Sequence, residues 1–426
     1  MRPTKTQIYF LAGFWAIAAI VTFYLSRKEV AKNPYLSDKA EESRGDSELL
    51  NIQESIEHYR HEIRRNPDAA NNYIDLARLK LQQARITGDD RSCLQQARRL
   101  IDQALSKEPN NDAAMITQAA ICLNYHNFEE AKSLAHKVVA RNSHNAYAWG
   151  VYSDALKELG QYDAAVAACD KMLSLRPDLS SYSRAAHLRE IHGDIAGAKS
   201  AMKLAVNAAI IGLESHAWAL YQLGNLYLNE GKLDSAKYLY EAILKARPQY
   251  PFALEGLAQA LIKQKQYRDA EQYLLSAYNI APEHQFMEEL VSVYRLLKQD
   301  KKAETLANSV LQTLADEEKQ GWNINLEYAR FCLKNDIHPA KALEHARKEY
   351  DRRPDHIEVL EIYAWALHKN GRRQQAAALL KQALERNQND ATLCYLAGIV
   401  QMELGHGELA NRYLERAAFL NPYVML

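Results

Sequence analysis

Residues 146–177 read AYAWGVYSDALKELGQYDAAVAACDKMLSLRP. Trp149, Tyr152, Ser153 and Leu156 fall three or four apart, which places them on one face of a helix. Gly160 breaks that helix. Tyr162, Ala165, Cys169 and Met172 then line one face of a second helix, and Pro177 ends it. Glycine and proline stand where helices stop. The stretch therefore predicts a pair of helices with an apolar face that the pair cannot bury alone.

The same pattern extends in both directions. A short punctuation recurs at Asn66-Pro67-Asp68, Glu108-Pro109-Asn110, Arg176-Pro177-Asp178, Arg247-Pro248-Gln249, Ala281-Pro282-Glu283, Arg353-Pro354-Asp355 and Asn421-Pro422-Tyr423. From 248 to 282 the spacing is 34 residues, and from 109 to 177 and from 354 to 422 it is twice that. Ser143 and Gln388 stand where a proline is missing. Leu220, Leu223, Gly224, Tyr227, Gly231, Leu233, Ala236, Tyr240, Ile243 and Pro248 repeat the offsets of the first stretch. So do Leu254, Leu257, Ala258, Leu261, Tyr267, Ala270, Leu274, Ala277 and Pro282. A small residue at the eighth position, and alanine at the twentieth, let paired helices approach closely.

This pattern resembles the tetratricopeptide repeat family, whose signature of aromatic and leucine, glycine, tyrosine, alanine, phenylalanine, alanine and proline spans 34 residues. About ten units fit: 70–109, 112–143, 146–177, 179–210, 217–248, 251–282, 284–315, 323–354, 357–388 and 391–422. Residues 51–66 read as an extra leading helix. The resemblance implies an all-α fold, a tetratricopeptide α-solenoid in which about ten helix pairs stack into an open right-handed superhelix. Three places depart from the period: about eight extra residues around Thr87-Gly88-Asp89-Asp90, and longer joints at 211–216 and 316–322. Insertions of this kind are expected on loops at one rim, or as bends between sub-arrays.

Composition narrows the function. Lys+Arg and Asp+Glu are both 53, so the chain has no net charge with which to favour nucleic acid. Glycine (16) and proline (11) are scarce, which favours helices over a multi-turn β fold. The five cysteines, Cys93, Cys122, Cys169, Cys332 and Cys394, form no CxxC pair and read as small core residues.

Residues 8–25, IYFLAGFWAIAAIVTFYL, form an uncharged stretch of 18 residues flanked by Arg2 and Lys5 and by Arg27, Lys28 and Lys32. As a helix it would span ~27 Å, close to a bilayer's hydrocarbon thickness. It reads as a single transmembrane anchor after a tail of residues 1–7. A cleaved signal peptide is the alternative, and Tyr24-Leu25-Ser26 is a poor cleavage site. Lys and Arg are denser after the span than before it, which favours a cytoplasmic C-terminal part. The short cationic tail resembles an export signal and points the other way, and the reading adopted is extracytoplasmic. Residues 26–50 are polar and read as a linker. The layout resembles bacterial proteins that carry one membrane helix followed by such repeats, some acting in assembly of the cell envelope.

No HExxH, GxSxG, GxxxxGK[ST] or GxGxxG motif is present. His58 and His61 read as solvated, His187 and His192 do not share a face, and Glu129-Glu130 and Glu317-Glu318 read as surface acids. The chain is therefore read as a non-enzyme without cofactor or metal, whose partner is a protein or peptide. In this repeat family the inner surface is lined by set positions of the first helix of each unit. Carried onto this sequence, these are Arg184, His187, Trp218, Tyr221, Asn225, Phe252, Glu255, Gln259, Glu288, Arg295, Glu361 and Trp365. Aromatic residues beside amides and charges suit a peptide groove. Alternatively, Trp218 and Phe252 pack against neighbouring first helices. The family's clamp for an acidic C-terminus is not matched, since no unit has both lysine at position five and asparagine at position nine. An architectural subunit of an envelope complex, using rims or convex face, is the competing reading. An enzyme with an unrecognised site is a remote third.

Overall fold

The computed structural model of the chain describes residues 44–88 and 90–424. Among the described residues there are 21 α-helices and no strand. Helix α1 is Arg44–Arg65. Ten helix pairs follow: α2 and α3 (Ala70–Thr87, Asp90–Lys107), α4 and α5 (Asp112–Asn124, Phe128–Arg141), α6 and α7 (Ala146–Glu158, Tyr162–Leu175), α8 and α9 (Leu179–Ile191, Ile195–Ala208), α10 and α11 (Glu214–Asn229, Leu233–Ala246). The array continues with α12 and α13 (Pro251–Lys263, Tyr267–Ile280), α14 and α15 (His284–Leu296, Asp300–Lys319), α16 and α17 (Asn325–Lys334, Pro339–Arg352), α18 and α19 (Ile357–Lys369, Arg373–Arg386), α20 and α21 (Ala391–Glu403, Gly407–Leu420).

Packing follows chain order. Almost every helix meets the next, and the first helices of most adjacent pairs also touch, which makes them the inner layer. Alanine at the twentieth position is the pivot. Ala131, Ala165, Ala198, Ala236, Ala270, Ala342, Ala376 and Ala410 are all fully buried. Side-chain oxygens of Asn111, Asn145, Asp178, Asp194 and Asp390 cap helix N-termini, each worth about 1 kcal/mol. Tyr240 shows how tightly the layers close. Its ring lies between Gly224 and Gly256, where an added Cβ would stand 2.4 and 2.6 Å from ring atoms. Its hydroxyl donates to Asn225 Oδ1 at 2.7 Å. All five cysteines are buried, and none is in a disulfide among the described residues.

The superhelix expected to be open instead closes on itself. After five to six 34-residue units the array completes a turn, and the next turn docks on the first. The seam joins residues 192 to 197 positions apart along most of its length, and 225 or 226 apart where the insertions meet and at Arg352. On one side are the turns between the two helices of a pair. On the other are the polar-proline turns between pairs. The physical reason lies in helix ends, whose last carbonyls have no partner within the helix. Arg353 Nη1 donates to Glu158 O at 3.0 Å, Asn421 Nδ2 to Asn229 O at 3.0 Å, and Arg352 Nη2 to His126 O at 3.0 Å. Asn389 Nδ2 donates to Gly193 O at 3.0 Å, and Ile357 N donates to Tyr162 Oη at 2.9 Å. Gly160, at φ +72°, makes the approach possible. A Cβ there would stand 2.5 Å from the Asp355 carbonyl carbon and 2.6 Å from His356 N.

The departures from the period sit at this seam. The extra residues near 87–90 lengthen α2 and α3 to 18 residues each, and those near 316–322 lengthen α15 to 20, so both insertions are largely helical rather than loops. The two meet across the seam through Arg91 to Glu317 at 2.7 Å and Gln95 to Gln320 at 2.8 Å. Trp322 packs on Tyr125, ring centroids 4.8 Å apart. The joint at 211–216 receives α1: Glu214 N donates to Glu48 Oε2 at 2.9 Å, and Arg247 pairs with the same oxygen at 3.0 Å. This anchor carries α1 back to Arg44, into the stretch read as linker. No helix among the described residues is long and apolar enough to cross a membrane. The apolar stretch 8–25 lies outside the described residues.

Candidate functional site

The inner surface is built from the first helices, and its side chains are tied to one another across units. Arg184 on α8 reaches Asp154 on α6 through Nε at 3.0 Å and Nη2 at 2.7 Å, and its Nη1 donates to Ser180 O at 2.9 Å. Tyr221 on α10 donates its hydroxyl to Glu255 Oε2 on α12 at 2.9 Å, and Gln259 donates to the other oxygen. An aromatic run lies along the same wall. Tyr221 and Phe252 have ring centroids 5.8 Å apart, and Phe252 and Phe286 5.9 Å. His187 and Trp218 meet edge on at 6.5 Å.

Carboxylates outnumber cations toward the C-terminal half of this wall. Burial pushes Glu255 up to about 7, with Glu289 adding to it. Burial likewise pushes Glu288 up to about 7. Glu361 rises well above the ordinary carboxylate range, through burial and then through Asp390 and Glu358. Of the nearby cations, Lys334 pairs with Glu289 at 2.6 Å and Arg330 with Glu358. Among the described residues, Glu288 has only His284 within ion-pair distance, at 3.8 Å. Such a wall accepts hydrogen bonds and positive charge.

Where the wall meets the seam, a cavity of about 770 Å³ opens between the turns. His126, His284, Glu288, Glu317, Trp322, Glu327 and Arg330 are among its lining residues. His126 Nδ1 stands 2.9 Å from Asn323 O, and a carbonyl only accepts, so that nitrogen carries the proton. Glu327 Oε2 and Trp322 Nε1 are buried without a hydrogen-bond partner among the described residues. Further along the seam, burial pushes Glu158 up, but Lys157, His356 and Arg353 outweigh it and hold Glu158 at about 2. Burial, with Arg353 beside it, holds His356 down at about 4, so it is neutral.

Most of the residues read from the sequence as a groove fall on this wall. Arg184, His187, Trp218, Tyr221, Asn225, Phe252, Gln259, Glu288, Arg295 and Glu361 are half-buried there. Several are occupied by their own chain: Asn225 by Tyr240, Arg295 by the Asn335 carbonyl, Arg184 by Asp154. Phe252 stacks between neighbouring units, as the alternative reading held. Glu255 is 6% exposed and stands behind Tyr221. Trp365 is a correction. At 7% exposure it belongs to the C-terminal core with Leu333 and Leu393, because adjacent first helices converge on the inside of a tight turn. Sequence reasoning missed Asp154, Lys334 and Arg330, whose partners lie on neighbouring units. It also missed the seam residues Arg353, Asn389 and Asn421, for which the polar residue around each proline turn was the available signal.

The tetratricopeptide repeat family matches the chain at residues 123–189 and 227–286, and again at 357–390. Cellulose synthase operon protein C of Pseudomonas fluorescens (strain SBW25) is 27% identical over 168 residues, 37% of this chain and 13% of that protein. Among solved structures, the human IFIT1 dimer with m7Gppp-AAAA is 16% identical, with 91% of each chain covered and a TM-score of 0.45. TTC0263, a thermophilic tetratricopeptide repeat protein of Thermus thermophilus, is 20% identical over 46% of this chain and 100% of its own, with a TM-score of 0.40. PilW, a widely conserved type IV pilus biogenesis factor, is 16% identical over 47% of this chain and 91% of its own, also at 0.40.

Proposed function

We propose that this chain, which carries tetratricopeptide repeats, is a non-catalytic scaffold that is tethered to a membrane by residues 8–25 and holds an extended segment of a partner protein along its inner surface. Helix-pair repeats of this type commonly bind proteins, because stacking leaves a long concave face of ordered side chains. The observation that carries the reading is the acidic stretch of that face. Glu288 and Glu361 line it with few partners of their own, at the cost of burying carboxylates. A partner segment supplying backbone N–H groups or a basic side chain would satisfy them.

The test is site-directed photo-cross-linking of the full chain in its own cells. Cross-linking residues are placed at Trp218 or Glu361 on the inner wall, and at Tyr238 or Tyr273, exposed on the second helices. Adducts to one partner from the inner positions alone support the reading. Adducts from Tyr238 and Tyr273 alone replace it with an architectural subunit that works through its convex face.

A further inference from the structure

The seam covers only part of one rim. The turns at Gly160, Gly193 and Gly231 each have a later unit pressed on them, whereas a Cβ added at Gly371 or Gly405 would meet nothing within 4 Å. The corresponding turns of the sixth to tenth units are therefore an uncovered end of the tube. The charge changes sign at the same place. The covered turns carry Glu158, Glu190 and Glu230 beside Lys157, Arg189 and Lys232, with Asp163, Asp194 and Asp234 following, so each is acid by one charge. The uncovered ones carry Lys265, Lys298, Lys301 and Arg372, all exposed and without an ion pair among the described residues. Asp269, Asp300, Asp336, Glu403 and Glu408 are the acids among them; Asp336 is paired with Lys369 at 3.0 Å and Glu403 with Arg373.

A second, independent feature is backbone conformation. Lys265 (φ 62°) and Lys298 (φ 58°) occupy the left-handed position that glycine fills at 160, 193, 231, 371 and 405. Lysine there costs about 1 kcal/mol relative to glycine; His126 and Asp336 take the same conformation in the second and eighth units.

We propose that this uncovered basic rim is a docking surface for an anionic lipid bilayer. The inference rests on the tether proposed above for its source of lipid. Geometry favours a bilayer over other polyanions. The turns belong to consecutive units, so their cations recur along one rim of the array. The chain enters the fold at Arg44, where Glu48 is seated against Arg247 just before α12. The rim at Lys265 lies one helix away, ~20 Å. Residues 26–43 can reach ~60 Å when extended, so the rim can touch the bilayer that anchors residues 8–25.

The experiment presents the full chain to nanodiscs of phosphatidylcholine alone and of phosphatidylcholine with phosphatidylglycerol, and reads amide hydrogen exchange. Protection at 264–266, 297–299 and 370–372 is expected in the anionic discs only, weakened by 0.5 M salt. Lys265→Gly with Lys298→Gly keeps the turn conformation and should weaken partition roughly 25-fold, taking about fivefold per lysine. Protection of 8–25 without protection of the rim in any disc overturns the inference and leaves the tether standing. Protection of the rim without 8–25 does the reverse. Protection of the rim by added duplex DNA and not by anionic discs also overturns it.

Discussion

Arg353→Ala is the most direct probe of the seam. The guanidinium is 5% exposed and lies over the Phe128 ring, 4.6 Å from its centre. It donates to the Glu158 carbonyl at 3.0 Å and to the Glu158 carboxylate at 3.1 Å, and pairs with Glu349. Glu349, 1% exposed, keeps Arg352 and Asn323 as partners after the substitution, both at 2.9 Å. The loss therefore falls near the lower end of the 3–5 kcal/mol typical of breaking a buried pair, about 3 kcal/mol. Lys348→Ala, on the helix whose C-terminus Arg353 caps, is the control. Its pair with Glu344 is exposed on both sides and is worth roughly 0.3–0.5 kcal/mol. Urea unfolding reads the global cost. Hydrogen exchange at the Ile357 amide, donated to Tyr162, reads the seam locally, and about 3 kcal/mol of easier opening accelerates it on the order of a hundredfold. If Arg353→Ala costs no more than Lys348→Ala and Ile357 exchanges within threefold of its original rate, the seam is not what holds the turns together.

Gly160→Ala should cost well over 2 kcal/mol in urea unfolding, since it adds a clash with Asp355 to an unfavourable φ. Gly371→Ala, at φ +76° with open space around it, should cost about 1 kcal/mol. The pH dependence of unfolding has two signs. Glu255 and Glu288, raised to about 7, contribute stability that is complete below about pH 4.5 and is lost as pH rises through 7. Glu158, lowered to about 2, contributes stability present above about pH 4.5 and lost as pH falls toward 2. Glu255→Gln should flatten the loss between about pH 4.5 and 7 and leave the acid side unchanged. Tyr221→Phe removes the hydroxyl that Glu255 accepts from and should cost about 1–3 kcal/mol, more at pH 8 than at pH 6, because the charged carboxylate is the form left unpaired.

The helix pairs were legible because their causes are local. Trp149, Tyr152 and Leu156 fix one helix face within a few residues, and Gly160 and Pro177 end the helices wherever the rest of the chain goes. The inner wall was partly legible for the same reason: a position in a repeat specifies which face a side chain occupies. It does not specify what stands opposite. Arg184 faces inward as read, yet its charge is taken up by Asp154 30 residues away. Trp365 faces the same way but lies beneath its neighbours.

The sequence by itself thus determined an all-helical array of stacked pairs, the small residues that let helices touch, and the side chains on the inner face. Only the tertiary structure decided that the array closes into docked turns, that insertions 226 residues apart meet at Arg91 and Glu317, and that one basic rim is left uncovered. The reason is that closure depends on the rotation accumulated over about 195 residues. A small twist per unit, set by packing at every joint, is multiplied along the solenoid before the first turn meets the second, and no short window of sequence carries that sum.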